Sequence, residues 1–175
     1  MTTCGTGIGL AQDGDLQLGV NWPNPRFTKN GDGTVTDNLT GLIWLENADC
    51  AAATMDWEAA LVFANTLFDG SGTHNGGDCG LSDASGVGAW RLPNVRELHS
   101  LVHYGVSDPC IPNTAGTGQL VAGDPFSGVQ QEYYWSSTTH SGGLSNAWGV
   151  LMGGGDVLDD GKTTLRRVWP VRGGQ

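Results

Sequence analysis

The chain has 175 residues, 29 of them glycine and 15% charged, with eight Lys and Arg against 18 Asp and Glu for a formal net charge of −10. Nucleic-acid binding and docking on an anionic membrane both need clustered cations, so this composition argues against both. No apolar stretch reaches the length of a membrane span, and a chain of this size reads as one domain able to bury a core without a metal or cofactor.

Residues 1–25 read as an irregular N-terminal segment in which Gly, Asp and Pro recur without a period, and residues 26–175 as a single domain. Met1-Thr2-Thr3-Cys4 lacks the basic start and apolar run of a secretory signal, so the expectation is a mature or truncated form whose signal peptide lies outside the sequence given. Arg26–Lys29 and Thr34–Asp37 flank Asn30-Gly31-Asp32-Gly33, and Asn-Gly and Asp-Gly favour the positive φ of a hairpin. A second turn is expected at Asp37–Gly41, then a short buried strand at Leu42–Leu45.

Trp57, Ala60, Leu61, Ala64, Leu67 and Phe68 recur at helical spacing, with Thr54 or Asp56 as cap and Asp69-Gly70 as stop. A long Gly/Ser/Asp loop follows over 69–89. A second helix is predicted to begin near Pro93. Asn94 and Glu97 have capping-box spacing, Val95, Leu98, Leu101 and Val102 give one apolar face, and Gly105 closes it. After an irregular stretch over 106–132, β-formers predict strands at Tyr133–Ser137, Ala147–Met152 and Arg166–Val171, with Gly153–Gly161 a polar turn region. The predicted class is α+β, with two helices packed on antiparallel β-sheets and long irregular loops.

Cys4, Cys50, Cys79 and Cys110 show no zinc-ligand spacing. An even count in polar loops reads as two disulfides in an exported protein, the alternative being four free thiols in a cytosolic one. Four cysteines allow three pairings. Cys50 with Cys79 is favoured because each sits just outside one end of the first predicted helix, and Cys4 with Cys110 follows by exclusion.

Four landmarks occur in a fixed order: Asp37-Asn38-Leu39-Thr40-Gly41-Leu42-Ile43-Trp44, then Trp90-Arg91-Leu92-Pro93-Asn94 with Glu97-Leu98, then Tyr134-Trp135-Ser136-Ser137-Thr138-Thr139 with Ala147-Trp148-Gly149-Val150, and finally Val168-Trp169-Pro170-Val171-Arg172-Gly173-Gly174. From about Asp13 to Gln175 this set resembles the Lcl carboxy-terminal domain family. Its Trp-Arg-Leu-Pro segment is also similar to the formylglycine-generating enzyme and sulfatase-modifying family. The resemblance implies a C-type-lectin-like fold in a secreted or surface-displayed bacterial or phage domain. It further implies kinship with adhesin heads on collagen-like stalks and with variable proteins of diversity-generating retroelements, whose contact residues lie in the carboxy-terminal strands and loops. Stalk-borne members are trimeric, so a homotrimer is one expected assembly. Some members bind sulfated glycans through basic surfaces, and the net charge of −10 argues against such a polyanion here.

Metal and catalytic chemistry find little support in the residues. A twelve-residue calcium loop with Gly33 at its sixth position would start at Thr28 and end at Leu39, neither a carboxylate, so a hairpin turn is the better reading and no resident cofactor is expected, calcium being the one candidate. His99 and His103 have a spacing that can chelate zinc, but no third ligand is evident and packing explains them. Arg91 and Glu97 read as structural charges at a helix start. Formylglycine-generating enzymes use a cysteine pair near the carboxy terminus, whereas the last cysteine here is Cys110, so no enzyme is expected. Ser136, Ser137, Thr138 and Thr139 beside His140 along a strand do not make a triad. Trp44, Trp90, Trp135 and Trp169 read as core, and Trp148 as core or sugar platform.

The contact surface is expected on loops 138–146 and 153–164, where small polar residues sit between strong strands. The candidates are Tyr133, His140, Ser141, Leu144, Asn146, Trp148, Asp156, Leu158, Asp159 and Lys162. The expected function is an extracellular module binding a protein or glycan outside the cell, without nucleic acid or membrane insertion. The alternatives are a structural subunit of a surface assembly and an enzyme on the sulfatase-modifying scaffold.

Overall fold

A computed structural model describes residues 21–71 and 79–173 of the chain. Strand β1 (Phe27–Lys29) pairs antiparallel with β2 (Thr34–Asp37), which pairs in turn with β3 (Leu42–Leu45). The first turn is set by Gly31 and Gly33, at φ of 81° and 82°, and by the Asp32 carboxylate, which accepts from the Thr34 N–H and hydroxyl. Gly33 admits no side chain, because a Cβ there would lie 2.4 Å from the Gly80 carbonyl oxygen.

Helix α1 (Trp57–Thr66) begins where the Asp56 carboxylate accepts from the Ala59 N–H at 2.8 Å, and it buries Ala60, Phe63 and Ala64. It ends at Thr66, so Leu67 and Phe68 lie beyond the helix, although Leu67 is still buried. Helix α2 (Val95–His99) carries the full capping box: Asn94 accepts from the Arg96 and Glu97 N–H groups, and Glu97 accepts from the Asn94 N–H. It is shorter than its apolar pattern predicts. The Leu101 and Val102 amides bond back only three residues, and the His103 amide turns to the Cys110 carbonyl, so the chain leaves the helix while both side chains stay buried.

Strands β4 (Tyr133–Thr139), β5 (Asn146–Leu151) and β6 (Val157–Gly161) form an antiparallel sheet in that order. The expectation of a turn region over 153–161 is corrected here: 157–161 is a strand whose polar side chains face solvent at the sheet edge. The expected Arg166–Val171 strand is corrected too. Arg166 and Arg167 make isolated bridges to Met55 and Tyr134, Pro170 has no N–H to donate, and only β7 (Val171–Gly173) joins a sheet, beside β3. Among the described residues the architecture is α+β, with a four-stranded and a three-stranded antiparallel sheet and two helices. No helix among the described residues is long and apolar enough to cross a membrane.

Trp44, Trp90, Trp135 and Trp169 are fully buried, as is Tyr134. Cys50 and Cys79 form a disulfide with a Cα–Cα distance of 5.3 Å, tying the chain before α1 to the loop after it. Among the described residues Cys110 has no disulfide partner, and burial pushes its thiol up to about 11. Cys4, its expected partner, lies outside the described residues, as do residues 1–20 of the N-terminal segment.

No local pattern announces the buried ion pair in this sheet. Arg26 donates to both carboxylate oxygens of Asp37, at 2.8 and 3.0 Å, and to the Ser100 carbonyl at 2.8 Å, with both side chains fully buried. Asp37 also accepts from the Leu39 N–H and the Thr40 hydroxyl, so the ion pair ties the second turn through Asp37 and the end of α2 through Arg26. Arg26→Met leaves that carboxylate buried and unpaired, and urea unfolding is expected to show a loss of about 3–5 kcal/mol.

Candidate functional site

Side chains alternate between the faces of a strand, and directly paired residues share a face. In the β4–β5–β6 sheet Trp148 lies opposite Asp159, while Gly149 lies opposite both Trp135 and Leu158. The expected contact residues therefore divide between two faces and two ends of one sheet.

The first group sits at the 138–146 tip. Asn146 Nδ2 donates to Asp159 Oδ2 at 2.8 Å, and His140 Nδ1 lies 3.8 Å from the same oxygen. The His140 ring meets the Trp148 ring edge-on, with centroids 5.0 Å apart, and the His140 amide donates to the Asn146 carbonyl. Trp148 is half-buried, Ser141 is exposed, and Leu144 is 75% exposed at the crest of the turn. The tip thus presents an indole face, an imidazole, an amide, a carboxylate and a leucine, the mixture of apolar and hydrogen-bonding groups that suits recognition.

The second group lies on the opposite face. Tyr133 is only 8% exposed, and its hydroxyl donates to the Leu158 carbonyl, so most of the ring is a packing element rather than a free contact. Burial raises its pKa to about 12. Gly149 must be glycine beneath it, since a Cβ would sit 2.3 Å from Tyr133 Cε1. The exposed rim of this ring, with Leu151, Leu158, Leu165, Glu132 and Arg166, lines a shallow cavity of about 420 Å³. Arg166 pairs with Asp160 and lies over the Tyr133 ring at 5.1 Å. That pairing is the leading cause of the lowered Asp160 pKa.

Two expected residues join neither group. Lys162 donates to Thr139 Oγ1 at 3.0 Å and lies 4.0 Å over the Trp57 ring, so its ammonium is already engaged. Asp156 is exposed in the β5–β6 turn, at the far end of a six-residue strand and about 17 Å from the tip. Sequence reasoning missed Leu151, Leu165 and Arg166, which no motif marks; only the register brings them beside Leu158.

A cleft of about 520 Å³ beside α1 is lined by Leu61, Asn65, Arg91, Leu92, Asn94 and Glu97, with Ser137 at its edge. Arg91 donates twice to Glu97, both bonds at 2.7 Å, and once to the Gly173 carbonyl. Burial by itself would raise the Glu97 pKa, but the Arg91 bonds, the Asn94 N–H and the Arg91 charge outweigh it and hold the carboxyl below its usual range. His99 bonds the Tyr104 hydroxyl at 2.7 Å, and among the described residues no three His, Cys, Asp or Glu side chains come together as a metal site.

A family model described as the Lcl C-terminal domain matches residues 33–172. No curated protein and no solved structure matches the chain.

The lowered Glu97 pKa makes its contribution to stability present above the unfolded-state pKa and lost as pH falls through the folded one. Glu97→Gln keeps a capping oxygen and removes the charge. Its urea midpoint is expected to fall by an amount worth about 1 kcal/mol near neutral pH, because the pair is partly exposed, and to converge on the parent's in acid.

Proposed function

Because the chain belongs to the Lcl C-terminal domain family, we propose that it is a non-enzymatic, C-type-lectin-like module that binds a protein or glycan outside the cell, as an adhesin head or a variable display protein. The observation that carries this reading is the 138–146 tip. His140, Asn146, Trp148 and Asp159 converge there beneath an exposed Leu144, on strands anchored by the buried Tyr134 and Trp135. A rigid sheet that holds a small mixed surface outward loses little conformational entropy on binding.

The Cys50–Cys79 disulfide supports an oxidising compartment. The net charge of −10 supports a neutral or cationic ligand over a sulfated polyanion. A binding role fits the titration of the side chains as well. Cys110, Tyr133 and Tyr134 are pushed up chiefly by burial, and the two tyrosine hydroxyls are tied to backbone groups, which suits packing rather than proton transfer.

The test is a glycan array and a panel of surface proteins probed with the full chain, followed by titration of the ligand found. Trp148→Ala and Leu144→Ala are expected to weaken that ligand by at least about 1–2 kcal/mol each while the circular dichroism spectrum is unchanged. Variants that bind as the parent does would remove the tip from the account.

A further inference from the structure

Among the described residues no strand pairs with the outer edge of β6, which lies beside a shallow cavity lined by leucines, Tyr133 and the polar Gln131, Glu132 and Arg166. The bonds from Leu151 N–H to Asp156 C=O and from Lys162 N–H to Ser145 C=O bracket the β5–β6 ladder, whose register is continuous from Asn146↔Gly161 to Val150↔Val157. Hydrogen-bonded and non-bonded pairs alternate in an antiparallel ladder. Leu158 and Asp160 therefore bond β5, while Val157, Asp159 and Gly161 turn their N–H and C=O groups to the other side. Gly161 is already satisfied, its N–H by Asp160 Oδ1 and its C=O by the Thr164 N–H. Val157 and Asp159 keep their amides and carbonyls at the sheet edge, because β6 is the last strand in the order β4–β5–β6.

Such an edge pairs readily with another strand unless it is blunted. This one has no proline and no lysine, and Leu158 is 53% exposed. Leu158, Leu165 and Leu151 line the cavity of about 420 Å³ on the adjoining face, and alternate side chains of an added strand would enter it. Charge selects the occupant. Asp156 and Asp159 are exposed at this edge, and the neighbouring cations are engaged: Arg166 by Asp160, Arg167 by Asp49 and Glu132, and Lys162 over Trp57. A second copy would set acidic edge against acidic edge, with −10 on each chain.

We propose that β6 captures an extended, basic peptide by strand addition, with the Val157 and Asp159 backbone groups as hydrogen-bonding partners and an apolar peptide side chain in the cavity beside Leu158. The proposal rests on the reading of this sheet as a ligand surface, but it uses the strand edge and shares with the 138–146 tip only Asp159. The partner is a protein segment in which lysine or arginine alternates with aliphatic residues.

The test titrates the full chain with a fluorescent, end-blocked octapeptide of alternating lysine and valine with one central leucine, beside the same peptide N-methylated at alternate amides. Saturable binding of the first is expected, about tenfold or more weaker for the second because strand hydrogen bonds are lost. Val157→Pro, tolerated where an edge N–H faces solvent, and Leu158→Ser are each expected to weaken the parent peptide about tenfold or more, while Trp148→Ala leaves it unchanged. Absence of saturation at about 1 mM, equal affinity for the N-methylated peptide, or indifference to Val157→Pro would overturn the proposal. So would self-association in light scattering that Val157→Pro abolishes, which would assign the edge to a second copy. Sensitivity to Trp148→Ala alone would overturn the edge while leaving the tip reading in place.

Discussion

The indole of Trp169 is where the two sheets become one body. It is fully buried, its Nε1–H donates to the Leu45 carbonyl at 3.0 Å, and its ring meets Trp44, Phe126 and Tyr134 at centroid distances of 5.6, 5.0 and 5.8 Å. Trp44 and Leu45 belong to β3, and Tyr134 belongs to β4, so a single side chain packs on both sheets at once. Pairs of this kind contribute about 0.5–1.5 kcal/mol each beyond the area they bury. The backbone on either side repeats the pattern: Arg166 and Arg167 bridge to Met55 and Tyr134, and β7 pairs with β3 while Val171 also bridges Arg91. The carboxy-terminal segment is thus a seam closed late in the chain, through contacts of long sequence separation.

That seam explains how a domain so rich in glycine and loops can hold the β4–β5–β6 sheet still. The β4–β5 ladder is packed from one side by Tyr134 and Val150 in the main core and from the other by Trp135, Ala147 and Phe63. What remains outside is the tip, the β6 edge and the shallow cavity. The Arg26–Asp37 pair does the corresponding work at the other sheet, with the Trp22 ring stacked 4.1 Å from the Arg26 guanidinium. A buried ion pair need not stabilise relative to an apolar one, but removing one partner leaves an uncompensated buried charge.

Much of the scaffold was legible in the residues because local chemistry alone specifies it. Asn-Gly and Asp-Gly placed the first hairpin, Leu42–Leu45 the third strand, Thr54 or Asp56 the start of α1, where Asp56 is the cap, and Asn94 with Glu97 the capping box of α2. The end of α2 was not legible, because Leu101 and Val102 are buried whether or not the helix continues. Strand β6 was hidden for a different reason. An edge strand facing water carries Asp159-Asp160-Gly161, and those residues read as a turn when no pairing partner is in view. The expected contact residues were read as one surface, whereas the register sets Trp148 and Leu158 on opposite faces. No local pattern distinguishes Arg26 as the arginine that is wholly buried, since its partner and the Ser100 carbonyl are supplied by the tertiary fold.

Native-state hydrogen exchange on Trp169→Leu tests most directly whether one seam holds both sheets. The account expects the protected amides of β3 and of β4–β5 to lose protection together and by similar free energies, as one cooperative unit. Loss confined to the four-stranded sheet, with β4 and β5 as protected as in the parent, would contradict it and make the three-stranded sheet an independent unit.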